Sequence, residues 1–103
     1  MATAAKTVFS HIVKDPTVCG GKACIDNTRI RVIDVVELQG EGLKPDEMRN
    51  AFAVALTLAQ IHSALAYADE HPQEIEADFA EGAEVEAQIE REQAEYLRRR
   101  SGP

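Results

Sequence analysis

The side chains best equipped for chemistry in this chain are two cysteines, three histidines and a dense set of carboxylates. Cys19 and Cys24 flank Gly20-Gly21 with four residues between them. Across a hairpin they could form a disulfide or half of a zinc site, but His11, His62 and His71 are scattered and no second ligand pair completes a tetrahedron. Buried free thiols are the better reading. No Ser-His-Asp, Cys-His or paired-carboxylate arrangement stands at a telling spacing, and Gly20-Gly21-Lys22 lacks the remainder of a phosphate loop. These absences point to a binding protein rather than an enzyme, with no cofactor.

Recognition chemistry has better candidates. Gln60, Ser63 and Tyr67 are spaced to share the outward face of one helix, where Gln60 is a candidate reader of adenine in a major groove. That helix carries no lysine or arginine, although phosphate neutralisation supplies most non-specific affinity for DNA. Arg29 and Arg31 lie two apart and share a face on an extended segment, suited either to phosphate contact or to pairing with Asp26 or Asp34. For the helix face, groove contact stands against plain surface or a dimer contact.

Charge divides the chain. Residues 1–68 hold seven cations against seven acids, whereas 69–103 hold eleven acids against four arginines, so the whole net charge of −7 lies in the last third. Such an asymmetry separates a globular part from an interaction tail. The tail's apolar residues, Ile75, Phe79, Val85, Ile89, Tyr96 and Leu97, form a thin stripe that cannot build its own core. It is therefore expected to be helical mainly when docked along a partner's groove. Arg98-Arg99-Arg100 closes it with cations that suit a helix C-terminus.

The elements that position these residues are legible from punctuation. Val8 to Val13 and Ala23 to Ile25 read as two short strands joined through the Gly-Gly turn, with Asp15-Pro16 and Asp26-Asn27-Thr28 as further turn signals. From Arg31 the period becomes helical, through Val32, Ile33, Val35, Val36 and Leu38, and Gly40 and Gly42 terminate it. A second helix starts at Pro45 with Asp46 and Glu47 in its first turn, and Met48, Ala51 and Phe52 as its inner face. Ala53 to Leu56 form a short link to a third helix. Thr57 and Gln60 make a capping box there, and Leu58, Ile61, Leu65 and Ala68 fall on one face. Pro72 closes this element, Gly82 interrupts the tail, and a last helix runs from Ala83 to Arg100.

The expected architecture is mainly α. A β-hairpin and a three-helix, helix-turn-helix-like core occupy residues 8–72, followed by an acidic helical tail for partner binding over 73–103. With 45 % hydrophobic but only 5 % aromatic residues the core is aliphatic. No apolar run approaches the roughly 18–20 residues of a membrane span, and the first ten residues lack the features of a signal peptide. The low cysteine count agrees with a reducing, cytoplasmic setting and no membrane partner.

The run His11-Ile12-Val13, Asp15-Pro16, Gly20-Gly21-Lys22, Ile25, Asn27-Thr28-Arg29-Ile30 and Val32 resembles the start of domain-of-unknown-function family 433. The likeness continues through Gly42-Leu43, Pro45-Asp46-Glu47, Leu56-Thr57, Ile61, Ala64-Leu65-Ala66-Tyr67-Ala68 and His71-Pro72, covering about Ser10 to Ile75. The resemblance implies a hairpin joined to a homeodomain-like fold. It also implies a role as antitoxin in a prokaryotic toxin–antitoxin pair, with a PIN-like nuclease toxin as partner. Three positions depart from the family pattern. Asn27 stands for a glycine and tolerates the same left-handed turn, Arg31 stands for a proline, and Lys44 is a poor cap costing about 1 kcal/mol. On this reading the N-terminal domain forms a homodimer and contacts operator DNA through Gln60, Ser63, Tyr67, Arg29 and Arg31. The tail wraps the toxin through Phe79, Val85, Ile89, Tyr96 and Leu97, and Arg98, Arg99 and Arg100 enter the metal-binding carboxylates of the nuclease. The alternatives are a stand-alone DNA-binding transcriptional regulator and a non-catalytic adaptor dimer.

Overall fold

In a computed structural model of the chain, which describes residues 5–6 and 9–101, a small antiparallel sheet leads into four helices. The strands are β1 (Ala5–Lys6), β2 (Ile12–Lys14) and β3 (Ala23–Ile25), in that order across the sheet. The expected hairpin is β2–β3, paired Ile12 to Ile25, Val13 to Cys24 and Lys14 to Ala23. The third strand, β1, adds to its free edge. Lacking β-branched or aromatic residues, Ala5-Lys6 carries no strand signal of its own. The expected first strand began at Val8, which lies outside the described residues.

The β2–β3 connection closes with a 3₁₀ turn at Cys19–Gly21, where Cys19, Gly20 and Gly21 all adopt positive φ. After β3, Asn27 takes the left-handed conformation at φ 58°. Thr28 then donates from Oγ1 to the Ile25 carbonyl and accepts from the Ile30 N–H, turning the chain into the first helix.

The helices are α1 (Val32–Gly40), α2 (Pro45–Met48), α3 (Leu58–Glu70) and α4 (Pro72–Ser101). The first three begin with one device. The N–H of the residue before the helix donates to a side-chain oxygen three residues on: Arg31 to Asp34, Lys44 to Glu47 and Thr57 to Gln60, each at 2.9 Å. Only Thr57 completes the box by accepting the Gln60 N–H through its own side chain. Arg31 and Lys44, which lack a capping oxygen, are compensated by the acid that follows.

Three expectations change. Helix α2 is a single turn, so Ala51 and Phe52 lie in an irregular stretch that runs to Thr57 and is pinned by buried Leu56. This connection is longer than the tight turn of a helix-turn-helix pair. Helix α3 is rotated from its expected face: Ile61, Ala64 and Tyr67 are buried, whereas Leu58 is exposed. Pro72 does end α3, but it also starts α4, where a proline's missing N–H costs nothing. Helix α4 then runs unbroken through Gly82 for 30 residues.

The core forms where the sheet, α1 and α3 meet. Ile12, Ile25, Val32, Val35, Met48 and Ile61 are its largest fully buried aliphatic side chains. Ile75, from the first turn of α4, belongs to the same cluster.

Candidate partner-binding surface

Helix α4 is rooted in the body by more than Ile75. Tyr67 is 3 % exposed and donates its hydroxyl to Glu74 Oε2 at 2.7 Å. Lys14 on β2 bonds the other carboxylate oxygen of Glu74. The Tyr67 ring stacks on His71 at 4.2 Å, and Phe9 meets both rings edge-on. Two turns further, Lys22 pairs with Glu81 at 3.1 Å. Strand β2, the Gly-Gly turn and α3 thus all hold the first three turns of α4.

The titration behaviour of this root follows from its surroundings. Burial and the bond to Glu74 hold the Tyr67 phenol far above its ordinary range. Burial alone would raise the Glu74 carboxyl, but the hydrogen bonds from Lys14 and Tyr67 outweigh it, and the net shift is downward. Asp78 is raised, first by burial and then by the neighbouring Glu74 charge, against the opposing pull of Lys22. In the hairpin, Cys24 is buried and its thiol is pushed up to about 11, chiefly by burial and then by Cys19. Both thiols are free, but only Cys24 is buried; Cys19, expected to be buried as well, is half-buried.

Beyond Gly82 the helix leaves the body. Val85, Ile89, Tyr96 and Leu97 are 53, 48, 62 and 57 % exposed, and Phe79 at the edge of the body is 38 % exposed. At about 100° per residue these five side chains and Ile75 fall within an arc of roughly 120°. The face that packs against the body therefore continues outward as an uncovered apolar stripe. Arg98, Arg99 and Arg100 are exposed at its end, with Arg99 paired to Glu95.

Where the stripe leaves the body a groove of about 530 Å³ opens between α1 and α4. Its apolar floor is Ile33, Phe79, Ala83 and Val85, and Gly82 forms part of its wall. Lys22, Arg31, Glu37, Asp78, Glu81 and Glu86 make its rim. Ile33, Glu37 and Gly82 are site residues that nothing in the motif pattern of the sequence marks as such. The one available signal was a glycine inside an otherwise helical stretch.

The residues expected to read DNA are differently disposed. Tyr67, expected on the outward face, is buried, because the phase of α3 is set by Ile61 and Ala64 packing inward and by the Glu74 carboxylate that receives its hydroxyl. Gln60 is engaged at both ends, accepting from Thr57 and donating to Asp26 at 3.2 Å. Ser63 is half-buried. Arg31 pairs with Asp34 at 2.8 Å, while Arg29 is exposed beside a second, shallow groove of about 680 Å³ at the hairpin. Helix α3 therefore presents no assembled reading surface. Among the described residues no group of histidines, cysteines and carboxylates could hold a metal, and no helix is long and apolar enough to cross a membrane.

A model of the family described as "Protein of unknown function (DUF433)" matches residues 12–68. A crystal structure of a DUF433 member protein from Anabaena variabilis superposes with a TM-score of 0.62 at 33 % identity, covering 68 % of each chain. No curated protein matches.

Proposed function

The chain belongs to the DUF433 family, and from that premise we propose that it acts as the antitoxin of a prokaryotic toxin–antitoxin pair, silencing a PIN-like nuclease through the outer half of α4. The observation that carries this reading is the apolar stripe from Phe79 to Leu97, which continues a core-packing face beyond the end of the body and ends in three arginines. An amphipathic helix of this kind suits a partner's hydrophobic groove. Guanidinium groups at its tip suit bidentate contact with the clustered carboxylates that bind metal in a nuclease. Operator contact by α3 loses its support, since Gln60 and Tyr67 are committed within the fold. The non-catalytic role and the cytoplasmic setting belong to the same reading.

The test is whether an adjacent gene encodes a small PIN-like protein and, where it does, whether the two proteins co-purify. Wild-type chain is expected to bind it and suppress its nuclease activity, and the Ile89→Asp, Leu97→Asp variant to do neither. Binding by that variant at the wild-type level would refute docking through α4.

A further inference from the structure

Gly82 has no reason to be glycine within its own chain. It sits inside a helix, where glycine costs about 0.5–1 kcal/mol relative to alanine. A Cβ built on it meets nothing within 4 Å, so no intramolecular contact requires the gap. A missing side chain in the wall of an open apolar groove instead permits close approach by something from outside.

The chemistry of the groove specifies that visitor. Lys22 and Arg31 are already engaged, by Glu81 and Asp34. Four carboxylates, Glu37, Asp78, Glu81 and Glu86, stand against two cations, Lys22 and Arg31, so the rim keeps a net charge of −2 over an apolar floor. The complement is an apolar pair followed by cations. This chain carries that sequence at Tyr96-Leu97-Arg98-Arg99-Arg100. Its own copy cannot deliver it, because α4 is continuous and at 1.5 Å per residue Leu97 lies about 22 Å along the axis from Gly82. A two-fold axis passing the helix near Ile89, midway between them, brings each end to the other copy's groove. It also covers Val85 and Ile89 in both copies, as a self-complementary interface requires.

We propose that a second copy of this chain occupies the groove. Its α4 lies antiparallel to the first, so that Tyr96 and Leu97 pack over Gly82, and Arg100, on the same helix face, meets the acidic rim. Each groove is completed by the other copy's helix end. This pairing stands independently of the nuclease reading. Where both hold, toxin and second copy compete for the same arginines, and binding the toxin entails leaving the dimer.

Sedimentation of the full chain tests it. Wild type is expected to be dimeric at about 100 µM, the range in which a small wet interface is populated. Gly82→Leu is expected to raise the melting temperature of the monomer, by better helix propensity, while weakening the dimer at least about tenfold. A role confined to the chain's own fold would not give those opposite signs. Arg100→Glu and, separately, Glu37→Arg, Glu86→Arg should each weaken self-association, and mixing the two variants should restore a heterodimer. A parallel pairing, which sets the arginines of the two copies side by side, would not give that rescue. A monomeric wild type, a Gly82→Leu dimer of unchanged affinity, or failure of the mixture to pair would overturn the proposal. The Glu37→Arg, Glu86→Arg variant keeps its tail intact. Toxin capture by that variant therefore separates failure of the dimer from failure of the antitoxin reading.

Discussion

Replacing Tyr67 by phenylalanine isolates the contact that roots α4. The ring is kept, so its stacking on His71 and its edge contact with Phe9 remain, and only the hydroxyl bond to Glu74 is lost. A hydrogen bond to a charged acceptor contributes about 1.5–3 kcal/mol. Because the Glu74 side chain is 25 % exposed and keeps Lys14, the lower end applies, about 1.5 kcal/mol. For a domain of this size that lowers the melting temperature by about 6–10 °C. The sign of the pH dependence follows from Glu74, whose folded-state pKa lies below its ordinary value of 4.5. Its stabilisation is therefore fully present above that ordinary value and is lost as pH falls through the lower folded value. Urea titrations of wild type and Tyr67→Phe should show a gap that is constant from neutrality down to about pH 5. Below that the gap should shrink by about half as the acceptor becomes neutral. Hydrogen exchange at residues 73–82 should accelerate in the variant at neutral pH. A gap below about 0.5 kcal/mol at neutral pH, or one unchanged across the acid range, would refute the view that the ionised Glu74 carboxylate ties α4 to the body.

Two further outcomes are expected. Gln60→Ala removes both the cap on Thr57 and the tie to Asp26, and should cost about 1–2 kcal/mol in thermal or urea melts. At equal folded fraction its affinity for promoter DNA in an anisotropy titration should match wild type, and a selective loss would return α3 to a DNA-reading role. Removing residues 83–103 should leave the unfolding free energy of the body, from urea melts at a concentration well below that of dimerisation, within about 0.5 kcal/mol of wild type, because nearly all of the described residues it deletes are exposed. A loss well above that would mean the shaft supports the body.

Features that depend on neighbours within a few residues were legible in the sequence. The Thr57–Gln60 box, the start of α1 after Arg31, the left-handed Asn27 and the β2–β3 pairing all rest on such local chemistry. Features decided across the fold were not. The phase of α3 depends on Tyr67 finding Glu74 seven residues on and in another helix. Leu58 looks like a core residue by periodicity, yet it opens the helix at the edge of the core and stays 38 % exposed. Pro72 carries the same local signal whether a helix stops or begins there, and only the packing of Ile75 distinguishes the two. The stripe on α4 was legible residue by residue. The groove at its base was not, because Ile33 and Glu37 reach it from α1.

On the antitoxin reading, the continuity of α4 alters how its outer half would bind. Nucleation is the unfavourable step in forming a helix, and propagation from an existing turn adds one bond for each residue fixed. Here the first turns are supplied by the body, through Ile75, Glu74 and Glu81. The outer turns extend a nucleus whose cost the body has already met, which explains how a stretch with so few apolar anchors is helical without a partner. On the antitoxin reading, the partner would then meet a preformed helix rather than a segment that folds on contact. The ordering penalty that weakens coupled folding and binding is then largely absent, and a short stripe ending in arginines can be selective without a large interface.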